Sequence, residues 1–214
     1  MKFATLLIAA AAIVAAPAMA TTVDVVIDCT VEYNQVNFGP LANVNAGDSA
    51  IWSFQVDSNN YQNSANYPTR GYIIDENSFS LAIGSETLGL QSPLAITPYF
   101  VLRNSDPVAD GFMFSDNTDW PASLPSDETG QLDQFGHHFE VGYSGTGAGD
   151  VLSSLDILDA VGTYDYTGLT SFYTVLNDSF AEPVGLVFNS LTITPEPTSL
   201  ALLALGGLAL LRRR

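Results

Sequence analysis

Few side chains in this sequence are spaced for chemistry. Its two histidines, His137 and His138, are adjacent. On a strand they would point to opposite faces, so one metal ion could not take both without a bend. His138 and Glu140 would share a face, but one imidazole and one carboxylate fall short of a zinc centre. Cys29 is the single cysteine, which excludes an internal disulfide and a Cys-rich zinc site. It reads as a small buried hydrophobe on a strand. Gly142-Tyr143-Ser144-Gly145-Thr146 approaches the G-x-S-x-G nucleophile elbow, yet Thr146 stands where the last glycine is needed. Gly145, Gly147 and Gly149 lack the spacing and the following helix of a phosphate-binding loop. Both stretches read as turns.

Carboxylates are too numerous for an acid/base pair to be recognised by counting, so a hydrolase of matrix polymers is a class the sequence leaves open. A more physical grouping is Asp106, Asp110, Asp116, Asn117 and Asp119, hard oxygen ligands gathered in one loop-rich stretch. Calcium takes six to eight such ligands, though the EF-hand spacing is absent. The alternative is a solvated acidic loop. No other cofactor is implied. Tyr61, Tyr67, Tyr72 and Trp120 fall in loop-like sequence, where aromatic rings could stack on sugars; ordinary packing is the competing reading.

The elements that must position these residues are strands. Val23, Val25, Ile27, Cys29, Val31 and Tyr33 alternate with a set that includes Asp24, Asp28, Thr30 and Glu32, the period of a half-buried strand. Ala50, Trp52, Phe54 and Val56 repeat that pattern, and so do Phe79, Leu81 and Ile83. Gly84-Ser85 then suits a hairpin turn into Glu86–Leu90. Further strands are expected at Tyr99–Arg103, Gly111–Phe114, His138–Tyr143, Leu169–Leu176 and Gly185–Ile193. Only Val151–Val161 invites a helix, with Leu152, Leu155 and Leu158 at helical spacing. Many short strands separated by Asn, Asp, Gly, Pro and Ser predict an all-β body, an antiparallel β-sandwich or jelly-roll. No fixed-period repeat and no internal linker divides it, so Thr21–Thr194 reads as one domain.

That domain is strongly acidic. Of 23 acidic residues all but Glu196 lie in it, and of six basic residues only Arg70 and Arg103, so two cations face 22 carboxylates and the formal charge is −20. Such a field repels nucleic acid and anionic polysaccharide, which excludes nucleic-acid binding.

Both ends read as targeting signals. Residues 1–20 combine Lys2, the apolar run Phe3–Val14, Pro17, and Ala18-Met19-Ala20, the small-x-small site of a signal peptidase, with Thr21 as the expected mature start. At the other end, Pro195-Glu196-Pro197 precedes Thr198-Ser199, the apolar run Leu200–Leu211, and Arg212-Arg213-Arg214. A helix over Thr198–Leu211 would be about 21 Å long at 1.5 Å per residue, short for a hydrocarbon core of about 30 Å. The arginines should stay on the cytoplasmic side. A permanent anchor is the alternative to a tail that is held briefly and cut.

Residues 195–214 closely resemble the PEP-CTERM sorting signal of Gram-negative bacteria. The resemblance implies recognition of Pro195, Glu196 and Pro197 by an exosortase, transient inner-membrane insertion of a short C-terminal transmembrane sorting helix, and a stop at Arg212, Arg213 and Arg214. Substrates of that system go to the cell surface or the exopolysaccharide matrix. Gly47–Asp57 also resembles, loosely, a strand-and-loop pattern of such exoproteins, and Ser190–Thr194 their last strand. The expected protein is therefore exported and non-enzymatic, with a structural or interaction role among matrix polysaccharides and proteins. The alternative is a carbohydrate-binding or adhesion module, calcium-dependent in one version.

Overall fold

The computed structural model describes residues 21–106, 108–147, 150–179 and 181–196. The signal-peptide residues Ala18 and Ala20, the proposed C-terminal helix, Pro197 and Arg212–Arg214 lie outside them. Twelve strands make the fold of the described residues. The first six are β1 (Thr22–Asn34), β2 (Ser49–Asn63), β3 (Thr69–Ile74), β4 (Ser80–Ile83), β5 (Glu86–Leu88) and β6 (Tyr99–Arg103). Then come β7 (Ala109–Ser115), β8 (Leu124–Thr129), β9 (Gln134–Ser144), β10 (Gly162–Tyr164), β11 (Leu169–Asp178) and β12 (Ala181–Pro195). One short 3-10 turn spans Pro40–Asn43. No helix among the described residues is long and apolar enough to cross a membrane.

The all-β expectation holds, but the sandwich or jelly-roll is replaced by a closed barrel. Eight strands follow one another in the order β1-β12-β11-β9-β7-β6-β3-β2, and β2 pairs back onto β1, so the sheet meets itself. Closure depends on two long strands that flank β1. On its edge away from β1, β2 pairs first with β4 through Ala50–Ser53, then, past an irregularity, with β3 through Tyr61–Asn63. Similarly, β12 pairs with β11 near Val184 and Gly185 and with β10 at Leu191–Ile193. Each long strand thus carries the chain from one wall to the other, as strands do at the corners of barrel-like folds. Alternation shows which residues face inward, but not whether the outer strands find each other. That is why two open sheets and one closed ring look alike in the sequence.

The inward faces meet in an aromatic core. Trp52 on β2 lies edge-on to Phe114 on β7, with ring centroids 5.9 Å apart, and Phe54 contacts Phe79, Phe100 and Phe114 at 5.4–5.9 Å. Burying each ring stabilises the fold by roughly 1.5–3 kcal/mol. Apolar residues fill the interior, while Asp24, Asp28 and Glu32 lie on the outer side of β1. That polarity is opposite to a lipid-embedded barrel, which turns its apolar side outward.

The segment Val151–Val161 is turns, not the helix its leucines suggested. Its backbone groups are satisfied from outside. The buried Asp110 carboxylate accepts from Val151 N (2.8 Å) and Leu152 N (2.9 Å), and the Tyr72 hydroxyl donates to Leu155 O (2.8 Å) and accepts from Ile157 N (2.9 Å). Leu152, Ile157 and Ala160 then enter the core at non-helical spacing.

Candidate functional site

A polar groove of about 380 Å³ opens where β2 ends, β3 begins and β7 ends. Gln62, Asn63, Asn66, Asp116, Asn117 and Asp119 supply its amides and carboxylates. Its volume lies within the range of small-molecule sites. Two loops build it, and each is fixed from within. The Ser64 hydroxyl accepts from Asn66 N (2.9 Å) and Tyr67 N (3.0 Å). Across from it, the Asn117 side-chain oxygen accepts from Asp119 N (2.8 Å) and Trp120 N (3.0 Å), and the Ser115 hydroxyl donates to Trp120 O (2.5 Å). Thr69 Oγ1 ties the loops together by donating to Thr118 O (2.5 Å).

Asn66 Nδ2 also reaches Asp119 Oδ2 at 3.1 Å. Hydrogen bonds from Ser64, Asn66 and Thr118 hold the Asp119 carboxyl below its ordinary value, so it is ionised at neutral pH. Tyr67 and Trp120, which follow the groove residues Asn66 and Asp119 in the two loops, meet edge-to-face, centroids 4.7 Å apart, and Trp120 is 58% exposed. A preset wall of amides beside a braced, exposed indole can hydrogen-bond hydroxyls and cover an apolar ring face at once.

Of the four aromatics that the sequence suggested for sugar stacking, Tyr67 and Trp120 are brought together here. Tyr61 is exposed nearby on β2 but packs under the Arg70 guanidinium, 4.1 Å from its ring centroid. Tyr72 is the correction: it is wholly buried on β3, and its hydroxyl serves backbone groups. Strand β3 was not among the strands expected from the sequence. Within it Gly71 is covered by the Tyr99 ring, where a Cβ would come within 2.8 Å.

The five calcium candidates do not converge. Asp106 and Asp110 lie at the β6–β7 turn, while Asp116, Asn117 and Asp119 lie beyond the opposite end of β7, about 20 Å away at 3.3 Å per residue. Asp110 is committed to the backbone, accepting from Ser105 N (2.8 Å) as well as Val151 and Leu152. No three of the described His, Cys, Asp and Glu residues gather as metal ligands.

The two histidines do face opposite ways. His137 is fully buried between Trp52 Nε1, which donates to its Nδ1 (3.2 Å), and Gly89 O, 3.0 Å from its Nε2. An indole N–H can only donate, so Nδ1 is unprotonated and Nε2 carries the hydrogen. Burial depresses this imidazole to about 4. His138 lies on the outer side with Ser123 Oγ at 3.1 Å, its pKa lowered by burial. Glu140 accepts from Arg103 Nη2 at 3.2 Å. Ser144 hydrogen-bonds within its own turn, to Thr146. Cys29 is buried in the core, and burial pushes its thiol pKa up.

The two terminal junctions lie side by side. Val23 pairs with Pro195, Thr22 O accepts from Glu196 N (2.9 Å), and Thr21 N donates to Ser58 Oγ (3.0 Å). This is an acidic barrel whose last strand runs directly into the terminal motif. A family model for the PEP-CTERM protein-sorting motif matches residues 194–214. The chain therefore carries an exosortase sorting signal: it is exported, held transiently at a membrane by that signal, and processed by exosortase during export. No curated protein and no solved structure matches the chain.

Proposed function

We propose that the exported body is a non-enzymatic surface or matrix protein that binds neutral polysaccharide in the groove beside Trp120. The observation that carries this reading is the exposed Trp120 indole, braced by Tyr67 and next in the chain to Asp119 of a groove walled by Gln62, Asn63, Asn66 and Asn117. Sugars present hydroxyls around their edge and C–H groups on their faces. Amides answer the first and aromatic rings the second. The field of the body, with Asp116 and Asp119 in the groove itself, favours an uncharged glycan over an anionic one.

Affinity electrophoresis of the purified body through gels containing neutral polysaccharides tests the reading. Retardation is expected, and Trp120→Ala should weaken it about tenfold, the scale of one lost stacking contact. Migration unaffected by any neutral polysaccharide, or retardation that Trp120→Ala leaves intact, would overturn it.

A further inference from the structure

The last strand of the barrel contains part of its own sorting motif. Pro195 closes β12 opposite Val23, and Glu196 continues the ladder by donating to Thr22 O at 2.9 Å. Gln55 on β2 reaches across β1 to hold the end of β12. Its Nε2 donates to Glu196 Oε1 at 2.7 Å and to Asp24 Oδ1 at 2.9 Å. Between Glu196 and the apolar run that begins at Leu200, the sequence leaves only Pro197, Thr198 and Ser199. Fully extended, three residues span about 10 Å.

A membrane-embedded enzyme acting on this peptide has to surround it. One backbone edge is already taken by β1, and the glutamate carboxylate is taken by Gln55. The tether is also too short to put the motif into a cleft while the barrel stays whole beside it. We infer that the folded barrel masks its sorting motif, so that tail removal requires the end of β12, Thr194–Glu196, to peel from β1 first, with Gln55 as the latch. Peeling is local, because β10 pairs with β12 no further than Ile193, and Thr194 is exposed. It lengthens the tether and frees the carboxylate in one step.

The inference rests on the sorting signal and is independent of what the groove binds. Its test is pulse-chase labelling of the full-length precursor in its own cells, reading loss of the tail by mass. Gln55→Leu keeps the side chain's bulk and removes its donor; tail loss should be about two- to tenfold faster, as expected for one hydrogen bond. Asp24→Cys with Thr194→Cys places a cysteine on each side of a direct cross-strand pair, which the oxidising exterior can join. The clamped precursor should accumulate, and reductant should release it. A clamped precursor that matures at the wild-type rate, or a Gln55→Leu precursor that matures no faster, would overturn the inference. A Pro195→Ala, Glu196→Ala, Pro197→Ala precursor run alongside should accumulate throughout. Its maturation would instead refute recognition of the motif, so the two failures are distinguishable.

Discussion

Acidifying the barrel should cost stability chiefly through the fully buried His137, with His138, whose pKa burial also lowers, adding to the loss. The His137 imidazole is neutral in the folded state, wedged between the Trp52 indole and Gly89 O with the Phe79 ring in T-shaped contact, centroids 4.9 Å apart. A proton added at Nδ1 would set one N–H against another and leave a cation in the core. Burial therefore depresses the pKa from an ordinary 6.5 to about 4, with Gly89 O and the Asp127 charge opposing. The unfolded chain takes up a proton near 6.5 and the folded chain only near 4. The stabilising difference is intact above pH 6.5, shrinks as pH falls between the two values, and changes no further below them. With one pKa unit equal to 1.36 kcal/mol, the loss is about 2 kcal/mol by pH 5 and about 3 kcal/mol by pH 4.

Urea unfolding at pH 8 and pH 5 reads the first figure, before most carboxylates titrate. His137→Gln can still donate to Gly89 O and accept from Trp52 but carries no proton in this range. Between the two values the variant should lose about 2 kcal/mol less than the wild type, its remaining loss being that of His138, which burial also disfavours as a cation. Should the variant prove too unstable to compare, NMR titration of the wild-type imidazole gives the pKa directly. Parallel losses in both proteins, or an imidazole titrating near 6.5, would refute the burial account.

Tyr72→Phe removes the hydroxyl that serves both Leu155 O and Ile157 N, leaving two backbone groups without it in a buried setting. The expected loss is about 1–3 kcal/mol in urea, with faster amide exchange across 152–160 as its local signature. Calcium makes the opposite kind of prediction. Because Asp106 and Asp110 sit about 20 Å from Asp116, Asn117 and Asp119, and Asp110 is occupied by backbone donors, melting in calcium and in EDTA should give the same midpoint. A rise of several degrees with calcium would contradict this.

Strands with a wet face and a dry face were legible in the sequence because their residues alternate. Thus β1, the first half of β2, the β4–β5 hairpin and β6 lie where their patterns put them. Strand β8 is hidden by Pro125 and its run of polar residues, and β10 is only three residues long. The leucines of Val151–Val161 carried a helical spacing that long-range partners override. Asp110 and Tyr72 supply hydrogen bonds that a helix would otherwise make for itself. Loop aromatics could be named from sequence, but not which of them would meet. Trp120 meets Tyr67 because Thr69 pins one loop against the other while Ser115 braces the second from within, a contact between positions some fifty residues apart. The sorting motif was legible throughout, being a local pattern. Its insertion into the sheet was not, since nothing near Pro195 in the sequence names Gln55 as its partner.

Cell fractionation with mass spectrometry of the mature protein tests the export account most directly. The body should be recovered outside the cytoplasmic membrane, beginning at Thr21 and ending before the apolar run that starts at Leu200. A polypeptide that still ends in Arg214 and stays with the cytoplasmic membrane would contradict it.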